Sequence, residues 1–189
     1  MATSSVTICN LALRRLGANR ITSLSEGTTN ANLCNDMYSL TVDEVLRMHP
    51  WNCALYRKTL SALEDAPEFG FDYQYTLPTS PYCLKALRIN EDPNDIFKVE
   101  GRVLLTDHSE VDLEYIKRIT DPAEFDALLI TVIATRLAMH LAIPVTHSGT
   151  LRDRIEKEFW DTLREARFAD AQEGTPDEID TSTWLDSRY

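Results

Sequence analysis

Over the first fifty positions, apolar residues recur at helical spacing. Residues 4 to 16, "SSVTICNLALRRL", open on serine able to cap a helix and close on Arg14 and Arg15, where the helix dipole favours cations. Gly17 follows, suited to the position just past a helix end. After the polar turn "GANRITSLSEGT", residues 29 to 48 set Leu33, Met37 and Leu40 beside a row of Cys34, Tyr38, Val42 and Val45. This pattern predicts a second, longer helix packed on the first. Pro50 disfavours helical geometry at His49, so the second helix is expected to end at Met48. Trp51 then has about 150 to 250 Å² of surface to bury where the chain turns toward its middle segment.

Between residues 70 and 119 the period becomes alternating. Phe71, Tyr73, Tyr75 and Leu77 point one way, with Asp72, Gln74 and Thr76 opposite, as in a half-buried strand. "YCLKALRI" continues after a turn at Pro78 and Pro81, "IFKVEGRVLL" predicts a hairpin about Glu100 and Gly101, and "VDLEYIKRI" alternates again. The expectation is one small antiparallel sheet of about four or five strands.

"TDPAEF" has Asp121 as a helix cap, Pro122 at the first helical position and Glu124 three residues past the cap. The third helix is expected to run from there to about Ile143. Wound at about 100° per residue, it has one apolar side with Phe125, Leu128, Leu129, Val132, Met139 and Ile143, and another with Ala127, Ile130, Ala134, Leu137, Ala138 and Leu141. Such a helix either sits in the middle of its own core or buries one face against another chain. A fourth helix, from about Thr150 to Ala171, has Leu151, Ile155, Phe159 and Leu163 as its stripe. Arg152 and Arg154 face Glu156 and Glu158 on its outer side at i, i+4 spacing. Gly174 and Pro176 stop it. The remaining residues are mostly polar and lack periodicity, yet they include Trp184, Leu185 and Tyr189.

The predicted class is therefore α+β: a four-helix bundle with a small antiparallel β-sheet inserted between helices 2 and 3, plus an extended C-terminal tail. Residues 1–173 form one domain, with the sheet insertion at about 70–119, and residues 174–189 form a tail that is mobile until docked.

Composition narrows the function classes. The apolar segment "FDALLITVIATRLAMHLAI" is interrupted by Asp126, Arg136 and His140, which are expensive in hydrocarbon, so it is expected to be a buried helix and not a membrane span. No signal-peptide pattern is recognisable at the N-terminus. Cys9, Cys34, Cys53 and Cys83 lie far apart without a CxxC pair and are expected to be buried reduced thiols. A formal charge of -11 and a pI near 4.8 argue against tight binding to DNA phosphates, and suit a surface that lets DNA pass without sticking.

The search for chemistry is mostly eliminative. With glycine only at 17, 27, 70, 101, 149 and 174, neither GxGxxG nor GxxxxGK[ST] can be present, and no GxSxG occurs. No metal-ligand spacing joins the histidines and cysteines, and no cofactor is expected. The oxygens of "NEDPND" at 90 to 95 lack the glycine and closing glutamate of an EF-hand, and Pro93 fits a solvated turn. Asp43 and Glu44 are adjacent on a helix and diverge. His49 and Cys53 are spaced like a catalytic pair but have no recognisable orienting partner. Pro50 as helix stop and Trp51 as buried anchor form the more economical reading of "VLRMHPWNCALYRKTL".

"NLALRRLGANRITSLSEGTTNANLC", "VLRMHPWNCALYRKTL" and "FGFDYQYTLPTSPYCLKALRI" together resemble the tail tubular protein A family of short-tailed bacteriophages, the head-to-tail adaptors. The likeness covers residues 5 to about 89, and beyond 90 only the order of elements matches. A bulky aromatic often follows HPWN in that family, where Cys53 stands here.

The resemblance implies a non-enzymatic virion protein made in the host cytoplasm. It would self-associate into a ring, usually of twelve copies, between the portal protein and the tail nozzle protein, leaving a channel through which DNA passes without specific binding and contacting no membrane. Trp184, Leu185 and Tyr189 are then candidate docking residues for a neighbour or the portal. The alternatives are a small cytosolic enzyme drawing on His140, His147 or Cys53, and a protein-interaction module outside any virion.

Overall fold

The computed structural model describes residues 3–92 and 94–173. Helix α1 spans Ser5–Arg15 and is capped by the Ser4 hydroxyl, which accepts from Thr7 N. It ends in a tight reversal: Gly17 N donates to Arg14 O at 3.2 Å and Ala18 N to Leu13 O at 3.0 Å, with Gly17 at φ +69°. Glycine reaches that left-handed conformation without a Cβ clash, and the paired bonds satisfy carbonyls the helix end would leave open. Helix α2, Thr29–Met48, is capped by Thr28 and stops at an extended His49 (φ -149°, ψ 146°), as Pro50 requires. Its core row is Ala31, Cys34, Thr41, Val42, Val45 and Leu46, while Leu40, expected inside, is 53% exposed.

Six strands follow: β1 Leu55–Leu60, β2 Tyr73–Thr76, β3 Cys83–Ile89, β4 Phe97–Glu100, β5 Val103–Thr106 and β6 Val111–Lys117. They form two three-stranded antiparallel sheets, ordered β1-β6-β3 and β2-β5-β4, where one was expected. The reason lies in β6. Val111, Leu113 and Tyr115 turn one face toward Tyr75 and Leu104 of the second sheet and Leu77 just past β2, and Ile116 turns the other toward Val45, Leu129 and Phe159 of the helices. The first sheet is thus a middle layer with apolar contacts on both faces. Strand β1 lies upstream of the expected insertion boundary at residue 70. It is an edge strand with exposed Tyr56, Arg57, Lys58 and Thr59, so it carries no apolar alternation to read. The hairpin at Gly101 forms as expected between β4 and β5.

Asp121 caps only a 3-10 turn, Pro122–Glu124, and helix α3, Ala127–Thr146, starts later. Its cap is Asp126, whose Oδ1 accepts from Leu128 N at 2.7 Å and Leu129 N at 2.8 Å. Pro144 lies inside the helix without ending it. His147, at φ +53°, closes the last turn by donating to Ile143 O at 2.9 Å.

Helix α4, Gly149–Gln172, is capped by Ser148 and buries Ile155, Phe159, Leu163 and Ala166. Both apolar sides of α3 find partners within the chain, because α3 packs on α1, α2 and α4. Composition and length alone would let α3 cross a membrane, but Leu129, Val132, Ile133, Ala134, Leu137 and Leu141 are buried in this packing. Thr135 is buried as well, and its hydroxyl donates to Thr131 O at 2.8 Å. Outside α4, Arg152 meets Glu156 at 3.4 Å, but Glu158 turns away from Arg154 and takes Arg15 of α1 at 3.1 Å. Residues 174–189, with Trp184, Leu185 and Tyr189, lie outside the described residues.

Candidate functional site

Three polar joints hold the elements to one another. The first is built on His49-Pro50-Trp51-Asn52. Trp51 is fully buried, and its indole N–H donates to Val45 O at 3.0 Å, in the last turn of α2 where carbonyls lack helical partners. The His49 ring meets it edge-on at 4.8 Å. Asp170, from the far end of α4, accepts from His49 Nε2 at 3.1 Å and from Asn52 N at 3.1 Å, while its main-chain carbonyl accepts from Asn52 Nδ2 at 2.7 Å. His49 and Asn52 therefore dock the end of α4 onto the end of α2, and Pro50 and Trp51 set the turn that presents them. Asp170 lies 118 residues beyond Asn52, and no local spacing marks it as the partner.

Burial of the His49 ring lowers its pKa below the ordinary value and outweighs the neighbouring carboxylate, which acts to raise it. The ring is thus neutral at pH 7 and donates from Nε2. With the folded pKa depressed, the unfolded chain takes up the proton first. The contribution of this joint is present above about pH 6.5 and is lost as the pH falls toward the folded value. Stability of the native protein is expected to drop through that window. In a urea series at stepped pH, His49→Asn should show a shallower drop; an identical slope in both chains would refute the assignment.

The second joint is Glu44 of α2, whose Oε2 takes Arg136 Nε at 3.1 Å and His140 Nε2 at 3.0 Å, both from α3. The guanidinium also lies over the Phe159 ring of α4 at 5.3 Å. The hydrogen bonds from both partners hold the Glu44 carboxyl below its usual range although burial opposes them. The third joint starts next door at Asp43, which takes both Nε and Nη2 of Arg118 beyond β6. Adjacent carboxylates thus turn to different partners, as their spacing on a helix requires. Arg118 stacks on the Tyr82 ring at 4.4 Å and Arg102 stacks on it at 4.2 Å. Arg102 then donates to Cys83 O at 2.7 Å, Pro78 O at 2.6 Å and Leu77 O at 3.3 Å, tying the second sheet to the first.

These contacts leave little for chemistry. Burial pushes the Cys53 thiol up to about 11, and the nearby Asp126 and Asp170 add to the shift, so it is protonated at neutral pH. The His49 imidazole it was paired with by spacing is turned to Asp170. Among the described residues, no serine or cysteine is hydrogen-bonded to a histidine, and no three metal-ligating side chains gather to hold an ion. All four cysteines are free thiols. In the turn at 90 to 95, Asp92 Oδ1 accepts from Asn94 N at 2.8 Å, Asp95 meets His108 at 3.3 Å and Glu91 meets Arg57 at 2.8 Å, so these oxygens are already engaged by protein. The His140 ring is likewise employed on Glu44, while His147 closes the end of α3 through its main-chain N–H. Of the residues singled out in the sequence, Pro50 and Trp51 come together at a joint, and Trp184, Leu185 and Tyr189 fall outside the described residues. No protein-family model matches the chain, and a search of curated proteins finds no match.

Proposed function

We propose that the chain is a structural subunit of a head-to-tail adaptor ring, joining a phage portal to the tail nozzle and leaving a channel for DNA. In this reading the helices form a four-helix bundle, from which the two sheets project between helices 2 and 3. The observation that carries it is where the family-like segments fall. "NLALRRLG" ends in the Gly17 reversal, "MHPWN" makes the clamp on Asp170, and "LPTSPYC" supplies Tyr82 and the carbonyls that hold Arg102. The residues behind the resemblance are thus those that fix how the elements sit, as a protein whose work is to hold a shape needs. The polar side chains of the three joints are spent on these contacts, which weighs against an enzyme. The charge of -11 suits a ring around DNA, because like charge keeps a polyanion from adhering. Trp184, Leu185 and Tyr189 serve as docking residues in this reading.

Electron microscopy of the protein mixed with the portal protein of the same genome tests the proposal. A ring stacked on the portal is expected, and mass analysis of intact particles should find this chain in multiple copies. A portal that stays bare, with particles lacking the chain, overturns it.

A further inference from the structure

The third joint is satisfied in hydrogen bonds but not in charge. Arg102, in the hairpin between β4 and β5, is half-buried and held by three main-chain carbonyls, which are neutral. Arg47, in the last turn of α2, donates to a further carbonyl, Leu84 O. Lys85 of β3 makes no ion pair or side-chain hydrogen bond among the described residues. Of these cations and Arg118, only Arg118 has a counter-ion, the Asp43 carboxylate.

All five side chains line one open pocket of about 460 Å³, with Leu77, Ala86 and Val99 as apolar wall. The volume is that of a small-molecule site. Burial raises the pKa of the Cys83 thiol while Arg102 and Arg47 both pull it down, so these two guanidiniums bear on a single point. Arg102 and Arg118 share another, the Tyr82 ring on which both stack. The carbonyls and the ring hold the guanidiniums before any ligand arrives, so little ordering opposes binding. Donors remain to be used. Arg118 Nη1, Arg102 Nε and the Tyr82 hydroxyl make no hydrogen bond among the described residues.

Four cations facing one carboxylate beside an apolar wall, in a chain of net charge -11, select a multiply charged anion. The donors come from α2, from the segment at Tyr82 and Lys85, from the hairpin and from beyond β6, so they meet a ligand from several sides. A tetrahedral phosphoryl group offers three acceptor oxygens to such a set, whereas a carboxylate offers two in one plane. A DNA phosphodiester carries a single charge on each group and belongs to a polyanion that the rest of the surface repels.

We infer that this pocket binds a small, free phosphate-class oxyanion with two or more negative charges, which neutralises the joint between α2 and the two sheets. The inference does not rest on the adaptor reading and concerns the chain by itself.

Isothermal titration calorimetry of the full-length chain with inorganic pyrophosphate, at fixed ionic strength, tests it. One saturable site per chain is expected, with amide NMR shifts confined to residues 43–47, 82–86, 99–102 and 118. The melting temperature should climb with pyrophosphate and stay put when chloride supplies the same ionic strength. Lys85→Glu should weaken binding roughly tenfold or more, and Lys85→Arg should hold it within about threefold. Lys85 is exposed and unpaired, so neither variant should melt below the parent without pyrophosphate. No saturable binding at millimolar pyrophosphate, shifts that map elsewhere, or an affinity indifferent to the Lys85 reversal overturns the inference. Tighter binding of citrate or of a single-stranded oligonucleotide at the same residues overturns it as well.

Discussion

Replacing Trp51 with alanine is expected to cost about 3 to 5 kcal/mol of folding stability, the largest single effect at any residue of the three joints. Trp51 has no exposed surface and lies in the same apolar cluster as Val45 and Leu46 of α2, Leu129 and Ile133 of α3, and Phe159 of α4. Truncation opens a cavity among elements held from several directions, so collapse around it is limited. It also removes the indole donor from Val45 O, which lies in the last turn of α2. Trp51→Phe separates the two contributions. It keeps much of the packing and loses the hydrogen bond, for a cost of about 1 to 2 kcal/mol. Urea denaturation followed by circular dichroism measures both. An alanine variant as stable as the parent would remove Trp51 from its role as anchor.

How much of this was legible beforehand varied with the range of the interaction. The Gly17 reversal, the end of α2 at Met48 and the stripe of α4 are local, and each followed from residues within one or two turns. The start of α3 was displaced because two competing caps, Asp121 and Asp126, lie five residues apart. The nearer to the apolar run captured the helix and left the other on a 3-10 turn. Strand β1 escaped notice because an edge strand with one pairing partner needs no apolar face. The division into two sheets depends on which face of β6 meets which neighbour, and alternation alone carries no such information. Partners at long range were invisible for the same reason. His49 looked like half of a catalytic pair with Cys53 because four residues separate them, whereas its partner comes from the last turns of α4.

That partner supplies the second large effect. Asp170→Ala is expected to destabilise the fold by about 2 kcal/mol. Two hydrogen bonds to a carboxylate are lost, and the His49 Nε2–H, on a side chain only 14% exposed, is left with no acceptor. A smaller gain offsets part of the loss. A carboxylate near the C-terminal end of α4 opposes the helix dipole by about 0.3 to 1 kcal/mol, so alanine relieves that repulsion and adds helix propensity. Asp170 is therefore a residue that its own helix disfavours and its tertiary contacts retain. Asp170→Asn should fall between parent and alanine, since its amide oxygen can still accept from Asn52 N. The loss should also be uneven across the molecule. Amide exchange is expected to quicken in the last turns of α4, where the clamp is the tie to α2, and to change little in α1. Denaturation that leaves Asp170→Ala within about half a kcal/mol of the parent, or exchange that quickens uniformly, would show that the clamp does not hold the end of α4. In the adaptor reading that end is where residues 174 to 189 depart.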